Sequence, residues 1–313
     1  MKFRRYDSIE NSYQEKDILR WLQQYPELKD EKFILEEKVD GANIQICFSK
    51  NAPWRVGKRG SFLEKGESFY DIWNVVEDYY ERFDYIQQEV DANRVQDHLI
   101  LYGELIGPGI QKRINYGDKK RFVFFDIIED GDWNIPYETY GLLDDYKLES
   151  VPVFNEAREF SFDDALNYPP EYKTLLSPDG GSFAEGFVMK PVSKNYYNYF
   201  GNKFALKKKS EKFAEKEAKG KTIHEETPMD PRVLELYKEF CKYITENRVL
   251  SVFSKEGEIQ SIKELGKYIP LVLQDAKEDF LKENEVPLDF DQKMIRNVFN
   301  GGHLVADILK KKL

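Results

Sequence analysis

Glu36-Glu37-Lys38-Val39-Asp40-Gly41-Ala42-Asn43 is the stretch on which the reading of this chain turns. Ahead of it Phe33, Ile34 and Leu35 form a short apolar run. Behind it Ile44, Ile46 and Phe48 alternate with Asn43, Gln45 and Cys47, so both flanks read as strands. Gly41 is expected to supply the permissive backbone of a tight connection between them. Lys38 then sits at the mouth of a strand-turn-strand unit, aimed at whatever the sheet encloses.

A lysine amine is a poor nucleophile while protonated, and nearby cations or desolvation make it a better one by lowering its pKa. Attack by such an amine on the α-phosphate of a nucleotide gives a phosphoramidate that can hand the nucleotide on. Lys-x-Asp-Gly is therefore a candidate site of nucleotidyl transfer, although the same pattern also describes a solvated lysine in a hairpin. The rest of the chain has to decide between them.

With 313 residues there is material for two domains or one large one. An aromatic content of 15% argues for a packed globule and against disorder. The sequence contains no apolar run long enough to span a bilayer, and Met1-Lys2-Phe3-Arg4-Arg5 is not followed by an apolar signal core. A soluble, intracellular, cytoplasmic protein with no membrane partner is expected. Cys47 and Cys241 are far apart, and His98, His224 and His303 are scattered, so neither a disulfide framework nor a zinc site is expected. The net charge of -10 speaks against a nucleic-acid partner. Locally, however, Lys203, Lys207, Lys208, Lys209, Lys212, Lys216, Lys219 and Lys221 crowd one stretch, and Lys310-Lys311-Lys312 closes the chain. Such a run is usually a solvated face, and it supports a polyanionic ligand only in company.

Taken in order, residues 1–31 read as a lead-in whose helix carries Ile18, Leu19 and Leu22 on one face. Residues 54–60 read as a strand ending in a basic turn that bears Arg59. Residues 67–90 read as an amphipathic helix with an aromatic stripe for the core. Residues 99–105 form an apolar strand that delivers Glu104 ahead of the Gly107-Pro108-Gly109 loop, and residues 121–128 an apolar strand with Asp126 inside it. An acid in such a run has to be paired, hydrogen-bonded or bound to a metal. A short helix over 135–148, a strand over 151–154 and a Pro-interrupted helical segment over 162–176 follow. A strand over 184–191 has Glu185 at its entry and Lys190 at its exit. After a loop over 195–202, the last strand, 203–210, sets Lys207 and Lys209 on one face and Lys208 on the other. A linker is expected over 222–231, where Thr227-Pro228 and Asp230-Pro231 interrupt regular structure. Beyond it the pattern turns helical, with Val233, Leu234, Tyr237, Phe240 and Ile244, then Ile269, Val272, Leu273, Ala276 and Phe280, at helical spacing. Helices over 290–299 and 303–309 close the chain.

The ordered series Lys38-x-Asp40-Gly41, Arg59, Gly103-Glu104, Phe125-Asp126, Glu185-Gly186 with Lys190, and Lys207-x-Lys209 resembles the motifs of the covalent nucleotidyltransferases, the ligases and mRNA capping enzymes. Within them it is most similar to the ATP-dependent RNA ligases of the RNA ligase 2 family, over nearly the whole chain. No Walker-type or Gly-x-Gly-x-x-Gly phosphate loop occurs. The resemblance implies an α+β nucleotidyltransferase domain with antiparallel sheets over residues 1–225 and a smaller all-helical C-terminal domain over 230–313. It also implies an ATP-dependent RNA ligase, a polynucleotide 5′-phosphate to 3′-hydroxyl ligase working through lysyl-AMP and RNA-adenylate. Such an enzyme would be a monomer acting in RNA repair on nicked or broken duplexes, with ATP and Mg²⁺, or Mn²⁺ in its place. A capping-type guanylyltransferase and a non-catalytic nucleotide- or RNA-binding protein of the same fold are the alternatives.

Residue by residue, the resemblance makes Lys38 the nucleophile that carries AMP. Phe125 would stack on the adenine, Glu104 would hold the ribose hydroxyls, and Glu37 and Asp40 would help fix the nucleotide and the lysine. Asn43 matches a position serving nucleotide transfer and sealing, with a turn-capping role as its simpler explanation. Glu185 would ligate the metal. Lys207, Lys209, Arg59 and Lys190 would surround the phosphates. A phage member of the family has histidine at the place of Asp40, and aspartate is the form found more widely among ligases. In the helical part Arg248, Asp275 and Asp279 fall at spacings similar to the RNA-sealing residues, where the last position is usually glutamate; a solvated helix face accounts for them as well.

Overall fold

The computed structural model describes residues 2–94, 97–154, 159–214 and 230–313. The expected linker lies outside the described residues except for Asp230 and Pro231, as do Lys216, Lys219, Lys221 and His224. Internal contacts divide the chain into Met1–Lys212 and Phe213–Leu313.

The first unit has strands β1 (Glu10–Asn11), β2 (Phe33–Lys38), β3 (Ala42–Ser49), β4 (Ala52–Lys58), β5 (His98–Ile106), β6 (Arg121–Glu129), β7 (Asp132–Trp133), β8 (Gly186–Pro191) and β9 (Leu206–Lys209). Its helices are α1 (Glu15–Gln24), α2 (Ile72–Asp91), α3 (Pro136–Asp145) and α4 (Phe162–Asn167). The strands form two sheets, ordered β1-β9-β8-β2 and β4-β3-β5-β6-β7. Every pairing is antiparallel except that of β1 with β9.

Period-two alternation decides which face of each sheet is apolar. In the larger sheet Ala42, Ile44, Ile46 and Phe48 of β3, Leu99, Leu101 and Leu105 of β5, and Phe122 and Phe124 of β6 pack under α2, whose Ile72, Val75, Val76, Tyr79, Phe83, Ile86 and Val90 line one stripe. In the smaller sheet Phe33 and Leu35, Phe187 and Met189, and Leu206 pack against Ile18 and Trp21 of α1 and Phe162 and Ala165 of α4. The opposite faces carry the polar residues, Asn43 and Glu104 on one sheet and Glu36, Lys38 and Lys190 on the other. They are joined by a Lys190 to Asp126 ion pair.

Several elements depart from the pattern read in the sequence. Leu19 is 57% exposed, and Trp21 takes the core position instead, because the apolar stripe of α1 runs through Ile18 and Trp21. The residues around 151–154 make no regular strand. Val151 N bonds Phe124 O while Pro152 O accepts from Glu37 N, so consecutive residues serve different sheets and no ladder can form. The helix at 162 ends at Asn167, before Pro169-Pro170. Gly41 does not adopt the left-handed backbone expected of a turn glycine; a Cβ there would lie 2.6 Å from Leu105 O, so close packing requires it. Cys47 and Cys241 are buried and form no disulfide.

The second unit has helices α5 (Pro231–Cys241), α6 (Glu246–Glu256), α7 (Leu265–Glu283), α8 (Gln292–Val298) and α9 (Gly302–Lys310). Side chains of Asp230, Thr245 and Asp291 cap α5, α6 and α8 by accepting from Arg232 N, Arg248 N and Met294 N. Phe240, Ile244, Val249, Phe253, Val272, Phe280, Val305 and Leu309 form its core. Helix α6, which carries Arg248, was not foreseen. Among the described residues no helix is long and apolar enough to cross a membrane.

Candidate active site

Lys38 ends β2 directly across from Gly186 on β8, which in turn lies across from Lys209 on β9. The three make one row on the polar face of the sheet. Its middle position has to be bare. A Cβ on Gly186 would lie 1.9 Å from Lys208 O, and its φ of +149° is one that side-chain-bearing residues rarely adopt. Glu185, just before β8, places one oxygen on each amine, Oε2 at 2.7 Å from Lys38 Nζ and Oε1 at 2.8 Å from Lys209 Nζ. Burial by itself would raise the pKa of Glu185. The charges of Lys209, Lys38 and Arg113 outweigh it and hold the carboxyl at about 2.

Across the cleft Asn43 and Glu104 are direct cross-strand neighbours on β3 and β5. The Asn43 amide approaches Glu104 Oε1 at 3.5 Å and Gly103 O at 3.4 Å. Glu104 Oε2 is buried without a hydrogen-bond partner. Burial, reinforced by the charge of Glu185, pushes the Glu104 carboxyl up to about 8 against the pull of Lys38. Buried polar atoms are rarely left unsatisfied, so this oxygen suits a donor that none of the described residues supplies.

Phe125 reaches the cleft through an irregularity. Tyr102 pairs with Asp126 and Gly103 with Phe124, so Phe125 is the extra residue of a β-bulge. The bulge turns both Phe125 and Asp126 away from the apolar core that holds Phe124. Gly103 makes room, since a Cβ there would lie 2.7 Å from Val123 O. Phe125 is half-buried, with Tyr6 edge-on to its ring at a centroid distance of 5.1 Å.

Lys190 does not join Lys38. It pairs with Ile34, four residues along β2 from Lys38, or roughly 13 Å at the usual rise of a strand. It is 2% exposed and its amine lies 2.7 Å from Glu36 Oε2 and 3.1 Å from Asp126 Oδ2, and donates to Phe125 O at 2.8 Å. Lys203 Nζ holds the other oxygen of Asp126 at 2.6 Å, and Tyr6 donates to Asp126 and Tyr140 to Glu36. The buried acid of the Phe125-Asp126 strand is therefore paired. Burial alone would raise the pKa of Asp126, but Lys190 and Lys203 keep it low.

Asp40 and Glu37 are occupied as well. Arg113 donates to both oxygens of Asp40, with Nε at 2.9 Å from Oδ2, and the Asp40 N–H bonds Tyr116 Oη at 2.9 Å. Glu37 accepts from Thr174 Oγ1 and, at 3.0 Å, from Leu175 N, on the face of β2 away from Lys38. Arg59 donates to Ser8 Oγ at 3.4 Å and lies within electrostatic reach of Glu104. Lys207 lies across from Val188, on the same face as Lys209. Lys208 points the other way and binds the carbonyls of Leu166, in the last turn of α4, and Tyr168, just past it, both at 2.9 Å. The lysine-rich strand is thus not simply a solvated face. Arg113 and Tyr116 were missed, because a loop without periodicity gives no sign of where its side chains return.

In the second unit Arg248, Asp275 and Asp279 do come together. Arg248 is 1% exposed and bridges Asp279 at 3.0 Å, Asp275, and the Tyr243 carbonyl at 2.8 Å, tying α6 to α7. This is an ion-pair cluster in which Arg248 is buried and Asp275 and Asp279 are partly exposed.

Among the described residues no group of three His, Cys, Asp or Glu side chains could hold a metal ion. A hard cation that keeps several waters and substrate phosphates needs only one or two protein carboxylates, and the ionised Glu185 meets that requirement.

The RNA ligase family model matches residues 31–209, and that of the T4 RNA ligase 2 C-terminal region matches residues 230–300. Among solved structures, a mutant of Naegleria gruberi RNA ligase with AMP and Mn is similar at 20% identity and a TM-score of 0.50, covering 68% of this chain and 58% of that one. A second mutant with AMP and Mn gives 18% and 0.48, covering 66% and 56%, and the ligase with PPi gives 20% and 0.49, covering 68% and 58%. The chain thus matches little more than half the length of these structures, and at such identity the likeness is one of fold.

Proposed function

The chain belongs to the RNA ligase family, and from that premise we propose that it uses ATP to join a 3′-hydroxyl to a 5′-phosphate in RNA, with Lys38 as its nucleophile. The observation that carries this reading is the Lys38, Glu185, Lys209 cluster facing the orphaned oxygen of Glu104.

In the first step Lys38 Nζ releases its proton to solvent, gives up its ion pair with Glu185 and attacks the α-phosphorus of ATP. A P–N bond forms and the bond to the pyrophosphate oxygen breaks. Lys209 and Lys207 supply positive charge to the phosphates, and a transition state with little covalent character needs mainly such charge and alignment. Phe125 stacks on the base and Glu104, protonated or not, meets the ribose hydroxyls with its unsatisfied oxygen. Asn43 fixes Glu104 from the neighbouring strand. Glu185 would hold a magnesium or manganese ion, which supplies charge neutralisation at the phosphates. A 5′-phosphate oxygen then takes the adenylate from Lys38, whose amine leaves protonated. The 3′-hydroxyl finally displaces AMP. A nicked or broken duplex is the substrate, and the enzyme acts as a monomer with its helical part, from residue 230, completing it.

Incubating the protein with α-labelled ATP or GTP and Mg²⁺, beside Lys38→Ala, tests the reading by denaturing electrophoresis. The expected result is covalent AMP on the parent alone, and sealing of a nicked RNA duplex. A guanylate adduct would make it a capping-type enzyme, and no adduct after pyrophosphate treatment a binding protein.

A further inference from the structure

We propose that Lys190 is a positioning residue for the nucleobase, acting through Phe125, and not one of the cations that touch the phosphates. This rests on the ligase reading above and deepens it.

A β-bulge leaves the extra residue outside the regular ladder, so its backbone groups need other partners. Here the carbonyl of the extra residue, Phe125, accepts from Lys190 Nζ at 2.8 Å. The same amine is fixed by Glu36 at 2.7 Å and Asp126 at 3.1 Å. Asp126 is the residue after Phe125, so one nitrogen grips the bulge at two consecutive positions. It also lies 5.6 Å from the Phe125 ring centroid, under the ring it supports. Glu36 is held in turn by Tyr140, and Asp126 by Tyr6 and Lys203. The network thus spans both sheets and ends at the aromatic ring. Lys190 itself is too deeply buried, and too far along β2 from Lys38, to reach the reacting phosphorus.

The fold keeps the amine charged. Burial works against the ammonium, but Asp126 and Glu36 more than compensate and raise the pKa of Lys190. A permanent charge suits a fixed support better than a proton carrier.

The test is adenylation kinetics of Lys190→Met, with tripolyphosphate as a competitive inhibitor that reports phosphate contacts without a base. We expect the KM for ATP to rise about tenfold or more, with kcat and the Ki of tripolyphosphate unchanged. In a Phe125→Leu background Lys190→Met should add nothing further, since the two act as a unit. A parallel rise in the Ki of tripolyphosphate would overturn the proposal in favour of a phosphate contact. An unchanged KM, or full additivity with Phe125→Leu, would overturn it too. If Lys190→Met does not fold, Lys190→Arg answers the same question, because a guanidinium cannot set one nitrogen on Glu36, Asp126 and the Phe125 carbonyl together. A parent protein that forms no adduct with ATP would instead remove the ligase reading, a failure visible before any variant is compared.

Discussion

Lys38 Nζ rests 2.7 Å from Glu185 Oε2, while the other oxygen of that carboxylate is held by Lys209. Two cations on one acid make the acid indispensable to both. Glu185→Gln keeps the shape and removes the charge, and it should lower the rate of lysyl-AMP formation by about 100-fold or more, in line with the loss of a preorganised electrostatic partner. Single-turnover adenylation measures this. A rate within a few-fold of the parent would mean that Glu185 only neutralises the resting lysines.

Glu104 and Glu185 should shape the pH dependence of stability in opposite directions. The Glu104 carboxyl is raised from an ordinary 4.5 to about 8 in the folded chain. The folded state therefore binds the extra proton in that window, and stability is lost as pH rises from about 4.5 through 8, by at most about 1.4 kcal/mol per pH unit for one proton. Glu185 is lowered to about 2, so its contribution is present above 4.5 and is lost as pH falls toward 2. Thermal melts across pH should show Glu104→Gln flattening the fall in stability between about pH 4.5 and 8, and Glu185→Gln chiefly flattening the fall below about 4.5.

Arg113 is the counter-charge of a nearly buried carboxylate. Arg113→Ala leaves Asp40 unpaired and should cost about 3–5 kcal/mol of stability. Adding Asp40→Asn should recover a good part of that loss, because a neutral amide is cheaper to bury alone. Chemical denaturation of both variants checks it; no recovery would show that Arg113 acts through other partners.

Arg248 is expected to behave as a structural residue. Arg248→Ala should destabilise the helical part by about 1.5–3 kcal/mol by removing the buried guanidinium that ties α6 to α7, while Lys255 and Lys282 still pair with Asp275 and Asp279. Any loss of sealing should then track the loss of folded protein. Sealing lost at full stability, with adenylation intact, would restore a direct role in handling RNA.

Much of this arrangement was legible in the sequence where side chains follow a strict period. Alternation in residues 42–48 placed Asn43 opposite the apolar face, and alternation in 206–209 separated Lys208 from Lys209. What the sequence hid was every feature that breaks a period. Counting by twos from Phe124 keeps Phe125 off the core but puts Asp126 into it, and only the bulge sets both on the same side. Lys190 follows Glu185 by five residues and looked like a neighbour in chemistry. An extended strand carries it away, into the cluster with Glu36 and Asp126. Arg113 returns to Asp40 from a loop, a contact set by tertiary structure alone.

Lys38 and Glu185 meet across a sequence separation of 147 residues, through the pairing of β2 with β8. Contacts so distant in sequence form late, after the chain has bridged the entropy of a long loop. A nascent polypeptide on the ribosome therefore exposes the lysine well before its acid and Lys209 have been synthesised. On the proposed reading, nucleotide capture would be a property of the finished first unit and denied to its fragments. The same delay leaves the strand that bears Lys38 waiting for its partner through much of translation, which opens β2 to wrong pairing while the chain is being made.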